Sequence, residues 1–89
     1  MLFLAVIDWY EGKVLEALER RPKWTPPEGV KILGEYWSVG TGRVVMIAEA
    51  PDTVTAALTT LPWEDIGYIT VSPALTPEDG LKMLKLWKK

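Results

Sequence analysis

The strand-like segments of this chain are marked by nearly continuous apolar runs. Leu2–Asp8 is apolar until its last residue, which is typical of a strand that is buried on both faces. Val30–Ser38 and Arg43–Ala50 are rich in branched, apolar and aromatic residues, and Gly40 and Gly42 lie between them. Because glycine readily adopts the positive φ of tight turns, these two segments predict a β-hairpin.

Two segments outside these strands carry apolar residues at the spacing of a helix. Glu11–Arg21 is the first, and Pro22 prevents its continuation and opens a proline-rich loop. The second opens at Pro51-Asp52 and ends at Pro62. The apolar residues are Val14, Leu15 and Leu18 in the first segment and Val54, Ala57, Leu58 and Leu61 in the second. Both patterns predict amphipathic helices.

The last third of the chain predicts a strand followed by a short helix. Ile66–Leu75 has the composition of a strand, and Pro73 restricts its far end to a sheet edge or a bulge. Thr76 and Pro77 are a strong helix start, with threonine as the cap and proline at the first helical position. The terminal helix then has an apolar stripe between lysines, formed by Leu81, Leu84 and Trp87.

The predicted order of elements is β-α-β-β-α-β followed by a final helix. Two β-α-β crossovers around a central hairpin are typical of an α+β, ferredoxin-like fold. Right-handed crossovers place both helices on one face of a four-stranded antiparallel sheet, in the spatial order fourth, first, third, second strand. We therefore expect one ferredoxin-like domain over residues 1–89.

The strands are apolar on both faces, although the predicted helices can cover only one of them. Leu2, Leu4 and Val6 alternate with Phe3, Ala5 and Ile7, and Val45 and Ile47 alternate with Val44 and Met46. An uncovered face would expose a larger apolar patch than a monomer usually tolerates. A terminal helix of about a dozen residues is too short to hide a whole four-stranded sheet. We therefore expect a homodimer that pairs sheet against sheet about a two-fold axis.

Composition excludes several classes of protein. With 48% hydrophobic residues and a net charge of −2, the chain is neither disordered nor suited to bind nucleic acid. The absence of cysteine and histidine excludes disulfide scaffolds, zinc fingers and Ser-His-Asp triads. No feature of the sequence indicates a cofactor.

The chain also lacks asparagine and glutamine, and its seven prolines fall mostly in predicted loops. This composition is typical of proteins from hot environments. The apolar run Leu2–Ile7 is too short for a signal peptide or a membrane span. We therefore expect a cytoplasmic protein without a membrane partner.

Four stretches of the sequence carry a resemblance to a known family. They are LFLAVIDWY (2–10), PPEGV (26–30), GRVVMIAEAPD (42–52) and WEDIGYITVSPALT (63–76). The chain resembles the dimeric α/β-barrel superfamily and, within it, domain-of-unknown-function family 3303. The resemblance implies the fold and the dimer, and no established activity. Superfamily relatives include muconolactone isomerases, cofactor-free monooxygenases, haem-degrading enzymes and amino-acid-sensing domains, but the lack of histidine here disfavours haem and histidine-based isomerisation.

The predicted strand order gathers aromatic and charged residues at one edge of the sheet. The ends of the first two strands meet the starts of the last two there, and the edge carries Asp8, Trp9, Tyr10, Tyr36, Trp37, Arg43 and Tyr68. Aromatic rings around a few polar groups are typical of a small-molecule pocket. The expected binding residues are Asp8, Trp9, Tyr36, Trp37, Arg43 and Tyr68. The same aromatics could instead cap the core or fill a dimer interface, and Asp8 and Arg43 could form an ordinary ion pair.

Three functions remain open from the sequence. The first is a module that binds or senses a small apolar or aromatic molecule. The second is a cofactor-free isomerase or monooxygenase with Asp8 as the base and Arg43 as the anion stabiliser, which requires burial of the carboxylate. The third is a purely structural or interaction domain. Lys31 and Glu35 are interpreted as charges that discourage pairing at a sheet edge.

Overall fold

The computed structural model of the protein describes residues 1–38 and 40–88. The strands are β1 (Leu2–Trp9), β2 (Lys31–Ser38), β3 (Arg43–Glu49) and β4 (Gly67–Pro73). The helices are α1 (Val14–Arg20), α2 (Thr53–Thr60) and α3 (Pro77–Trp87), and single 3-10 turns follow α1 at Arg21–Lys23 and α2 at Leu61–Trp63. The α+β class expected from the sequence is confirmed.

The four strands form one antiparallel sheet in the order β2-β3-β1-β4. Strand β1 lies inside the sheet, where Val6 is opposite Val45 of β3 on one side and Thr70 of β4 on the other. The long apolar run of β1 therefore forms ladders on both sides, as a central strand must.

Burial alternates along β1 and separates the two faces of the sheet. Phe3, Ala5, Ile7 and Trp9 are buried, whereas the residues between them are partly exposed. The buried residues form the inner face, which contacts the helices, and they belong to two core clusters. Each large side chain buried in this way contributes about 1.5–3 kcal/mol to the free energy of unfolding.

The helices contact the inner face through small side chains, contrary to the predicted apolar faces. In α1 the buried residue is Ala17, and in α2 the buried residues are Ala56, Thr59 and Thr60. The side chains of Val14, Leu15, Leu18, Val54, Leu58 and Leu61 are exposed, and so is Ala57. Large indole rings fill part of the space between the helices and the sheet. Only small side chains therefore fit where a helix comes close to the inner face.

Turn and cap chemistry sets where the helices begin. Helix α1 begins three residues later than predicted because Gly12 adopts a φ of +78° in the preceding turn. Helix α2 begins where the sequence indicated, since Asp52 Oδ1 accepts a hydrogen bond from Thr55 N at 2.8 Å. In α3, Thr76 Oγ1 likewise accepts from Asp79 N at 3.1 Å.

A β-bulge in β2 decides which of its side chains face inward. Ile32 lies opposite Ala48 but Gly34 lies opposite Ile47, so the single residue Leu33 is extra on this strand. A bulge of one residue exchanges the faces of all later positions. As a result Glu35 and Trp37 lie on the inner face, and Tyr36 lies on the outer face.

Helix α3 extends away from the rest of the protein. None of its residues is buried, although its stripe of Leu81, Leu84 and Trp87 was predicted from the sequence. A backbone hydrogen bond from Ala74 N to Leu2 O holds the segment that precedes α3 beside β1. Within the part of the chain that the structure describes, no helix combines the length and apolar character needed to cross a bilayer.

Candidate functional site

The sheet register places the predicted site residues at one edge of the sheet. Asp8 lies opposite Arg43 of β3 and opposite Tyr68 of β4, and Trp9 lies opposite Gly67. Tyr36 and Trp37 lie opposite Val45 and Val44 near the end of β2. The expected gathering of these residues along one edge is therefore present.

The same residues are divided between the two faces of the sheet. Trp9 and Trp37 lie on the inner face, where their rings stack with centroids 5.4 Å apart and planes inclined by 22°. Asp8, Tyr36, Arg43 and Tyr68 lie on the outer face, away from α1 and α2. The predicted set thus forms two separate groups rather than one pocket.

The outer-face group is centred on an exposed ion pair. Arg43 Nε donates to Asp8 Oδ1 at 2.6 Å, and Arg43 Nη2 donates to Asp8 Oδ2 at 3.3 Å. The Asp8 side chain is 42% exposed. The burial that the enzyme hypothesis required of this carboxylate is therefore lacking. The same hydrogen bond from Arg43 to Asp8 raises the pKa of the guanidinium.

The inner-face pair belongs to a larger group of indoles, here called the tryptophan cluster (Trp9, Trp24, Trp37 and Trp63). The ring of Trp63 lies 5.6 Å from that of Trp9 and 5.7 Å from that of Trp24, in tilted and edge-on arrangements. These are the geometries that aromatic pairs prefer. Arginines complete the packing, with Arg20 over Trp63 and Arg21 over Trp24.

Two 3-10 turns place the outlying members of the cluster. Each turn follows a helix and contains a proline, Pro22 after α1 and Pro62 after α2. Proline ends the helix, and the chain then turns back toward the sheet. Trp24 directly follows the first turn, and Trp63 is the last residue of the second. This recurrence of proline and tryptophan is the sequence signal that could have identified both residues.

A narrow slot lies between the tryptophan cluster, the sheet and the end of α2. Its lining is mostly apolar, with polar groups from Glu35, Arg21, Thr59 and Thr60. Its volume is about 30 Å³, which is room for about two water molecules. Both threonine hydroxyls donate to carbonyls of α2, Thr59 to Thr55 O and Thr60 to Ala57 O, and they retain lone pairs for a further hydrogen bond.

One buried donor on a residue that lines the slot lacks a partner. The indole Nε1 of Trp9 has no hydrogen-bond acceptor among residues 1–38 and 40–88, although the Trp9 side chain lines the slot and is 8% exposed. Leaving a buried N–H unpaired costs about 1–3 kcal/mol. An acceptor atom that reached this N–H would remove that cost.

A hydrogen-bonded network around Glu35 forms one side of the slot. Arg21 donates from Nε and Nη2 to both carboxylate oxygens at 2.9 and 2.8 Å, and Trp37 Nε1 donates to Oε2 at 2.8 Å. The hydrogen bond from Arg21 lowers the pKa of Glu35. The interpretation of Glu35 as an edge charge is therefore wrong, because the bulge at Leu33 turns the carboxylate inward.

The Glu35 network predicts a pH dependence of stability. Because the pKa of Glu35 is lowered in the folded protein from 4.5, its ionised form stabilises the fold above about pH 4.5 and this contribution is lost as the pH falls through the folded pKa. We expect the Glu35→Gln variant to lose less unfolding free energy than the wild type between about pH 6 and pH 3 in urea denaturation.

The control is Glu19→Gln on the exposed surface of α1. This variant should follow the wild-type profile over the same pH range. If Glu35→Gln also retained the full wild-type slope, the carboxylate would contribute nothing to acid sensitivity and the network would be an incidental contact.

Among residues 1–38 and 40–88, no three histidine, cysteine, aspartate or glutamate side chains lie close enough together to hold a metal ion. The comparisons with known proteins give one match. The model of the family described as Domain of unknown function (DUF3303) matches residues 1–87. No curated protein and no solved structure gave a significant match to the chain.

Proposed function

Because the chain belongs to the DUF3303 family, whose description states no activity, we propose a function from the site itself: the protein binds a small, flat molecule in the tryptophan-lined slot. The observation that carries this proposal is the unpaired, buried Nε1 of Trp9 among four indole rings. Indoles offer flat apolar surfaces for stacking, and Trp9 offers one donor for orientation.

The size of the slot limits the ligand to about one ring. The observed volume of about 30 Å³ is smaller than a ring needs, so the ligand must displace a side chain that lines the slot. Trp24 is partly exposed and free of the sheet ladders, so it is the group most easily displaced, whereas Arg21 is held by its two hydrogen bonds to Glu35. The bound ring then takes the place of the displaced side chain and is buried between the planes of the remaining indoles.

The polar groups specify the chemistry of that ring. Trp9 Nε1 requires an acceptor atom, and the free lone pairs of Thr59 and Thr60 favour a donor at a second position. The Glu35 carboxylate is neutralised by Arg21, so the site does not call for a charged ligand. We therefore propose a neutral aromatic or heteroaromatic ring with one acceptor.

Two probes of equal size test the acceptor requirement. Pyridine is one ring with one acceptor, whereas benzene lacks the acceptor. In proton–nitrogen spectra of the five indole N–H groups, pyridine should move the Trp9 signal downfield, and benzene should not. Replacement of Trp9 by phenylalanine removes the donor and should weaken pyridine binding about fivefold, the value of one hydrogen bond of about 1 kcal/mol.

The matched control is Trp87→Phe, which changes an exposed indole far from the slot. Its pyridine affinity should equal that of the wild type. If pyridine left the Trp9 signal unchanged, or if both variants bound pyridine equally, the slot would not be a binding site. Native mass spectrometry of the protein purified from its own host should then also show no adduct, whereas the proposal expects a reproducible small-molecule mass.

We also propose that the fold is ferredoxin-like and that two copies pair through the outer face of the sheet as a dimeric α/β barrel. Apolar side chains on that face support this, because Ile47 and Leu33 are exposed and Leu4 and Val6 are partly so. Such a patch is typical of a protein interface. Light scattering at micromolar concentration should give the mass of a dimer, and a monomer would contradict the pairing.

A further inference from the structure

Helix α3 is amphipathic, yet it contacts little of its own chain. Five large apolar side chains are at least 46% exposed along its 11 residues, namely Leu81, Met83, Leu84, Leu86 and Trp87. An isolated helix of this length is marginal in water, and helices in proteins depend on packing of their apolar face. The stability of α3 therefore requires a surface outside the contacts of this chain.

The outer face of the sheet and the start of α3 form two walls of one groove. Leu2, Leu33 and Ile47 contribute from the sheet, and Thr76 and Asp79 contribute from the cap and first turn of α3. The groove has a volume of about 630 Å³. A protein surface that enters this groove contacts both the exposed outer face of the sheet and the first turn of α3.

The exposed area of the chain is larger than that of a typical monomer of its mass. Its accessible surface is 6416 Å², whereas a folded monomer of 10.0 kDa has about 5,200 Å². The excess of about 1,200 Å² exceeds the roughly 800 Å² that each partner buries in a standard stable interface. The exposed area is therefore sufficient for a dimer.

The charges of the chain favour a second copy as the occupant. The four lysines and two acids after residue 76 give that segment a net charge of +2, whereas the six basic and ten acidic residues before it give the body −4. The helix of one copy and the body of another thus attract each other. One two-fold arrangement also covers the sheet face and the helix of both copies at once.

We propose that α3 clasps the second copy of a dimer. The margin of one copy's sheet lies in the groove between the outer face and α3 of the other copy, and the apolar face of α3 packs on that partner. This inference rests on the proposed sheet-to-sheet dimer. An 11-residue helix is about 16 Å long, and stacked sheets lie about 10 Å apart, so α3 is long enough to reach across the interface.

The first experiment compares two leucine-to-aspartate variants by sedimentation equilibrium. Leu84→Asp places a charge on the apolar face of α3 and occurs twice in a dimer. We expect it to raise the dimer dissociation constant at least about 100-fold. Leu15→Asp makes the same change on the exposed face of α1 and should leave the constant within about twofold. An equal effect of both variants, or of neither, would overturn the clasp.

The second experiment does not depend on how these variants fold. Because the chain has no cysteine, Trp87→Cys carries a single spin label, and this chain is mixed with an unlabelled chain enriched in nitrogen-15. We expect broadening of outer-face amides such as those of Leu4 and Val45 in the enriched chain, which arises only between copies. A label at Glu19→Cys on α1 should not broaden them.

The outcomes separate the two proposals. A dimer in which the Trp87 label broadens the partner's outer-face amides supports the clasp. A dimer without that broadening overturns the clasp and leaves the sheet pairing intact. A monomer overturns both, and a chain that is both labelled and enriched in nitrogen-15 then shows whether α3 folds back on its own sheet.

Discussion

Replacing Trp63 with alanine is expected to lower the free energy of unfolding by about 3–5 kcal/mol, the range for removal of a large aromatic side chain from a core. Trp63 is 4% exposed and contacts Trp9, Trp24 and the guanidinium of Arg20. Its removal deprives three neighbours of their packing partner and opens the slot. A domain of 89 residues has only about 4–13 kcal/mol of stability in total, so this single change removes a large share.

Guanidinium denaturation of Trp63→Ala, Trp63→Phe and Val54→Ala measures this effect. Phenylalanine keeps most of the ring volume, so its cost should be well below that of alanine. Val54 is 69% exposed on α2, and its replacement should change the unfolding free energy by less than about 0.5 kcal/mol. A cost of under about 1 kcal/mol for Trp63→Ala would mean that the cluster is loosely packed.

Replacing Gly67 with valine is expected to destabilise the fold by about 3 kcal/mol, at the upper end of the usual cost of overpacking. A Cβ at this position would lie 2.6 Å from Ile7 Cγ2, 3.0 Å from Trp9 Cε3 and 3.3 Å from the carbonyl oxygen of Asp8. The backbone oxygen cannot move without breaking the ladder between β1 and β4. The indole of Trp9 would have to shift, so the change should also alter its near-ultraviolet circular dichroism.

Gly80→Ala is the matched control for Gly67→Val. A Cβ at Gly80 meets no atom within 4 Å, and alanine is favoured over glycine inside a helix. This variant should therefore not lower the thermal midpoint, whereas Gly67→Val should lower it by roughly 12–24 °C. If the two glycine variants had the same thermal midpoint, the close approach of β4 to Trp9 would not be a constraint on the fold.

The order of elements could be predicted from the sequence, but the faces of the helices could not. Apolar runs and glycine turns determined the strands, and the cap residues Asp52 and Thr76 determined two helix starts. The leucine stripes of α1 and α2 were misleading because large indoles from the 3-10 turns occupy the space beneath the helices. Only a small residue such as Ala17 fits against those rings.

The candidate site was predicted in part for a similar reason. The strand order expected from the sequence of elements places Trp9 and Trp37 at the same edge of the sheet, and the structure has both residues there. The side on which each residue lies depends on the bulge at Leu33, which no composition or spacing rule reveals. Glu35 was assigned to a solvent role for that reason, and Trp24 and Trp63 lay outside the strands from which the pocket was derived.

The bulge at Leu33 also gives the length of one short segment a meaning for the comparison of related chains. Deletion of this one extra residue would restore a regular ladder in which Glu35 stays opposite Met46 and Trp37 opposite Val44, so both side chains would still face the slot. A relative that keeps the length of the segment but pairs it without a bulge would instead turn the carboxylate and the indole to the outer face and present the tyrosine to the slot. A gap of one residue here is therefore compatible with a shared ligand, and an ungapped alignment does not by itself establish that two homologues share one.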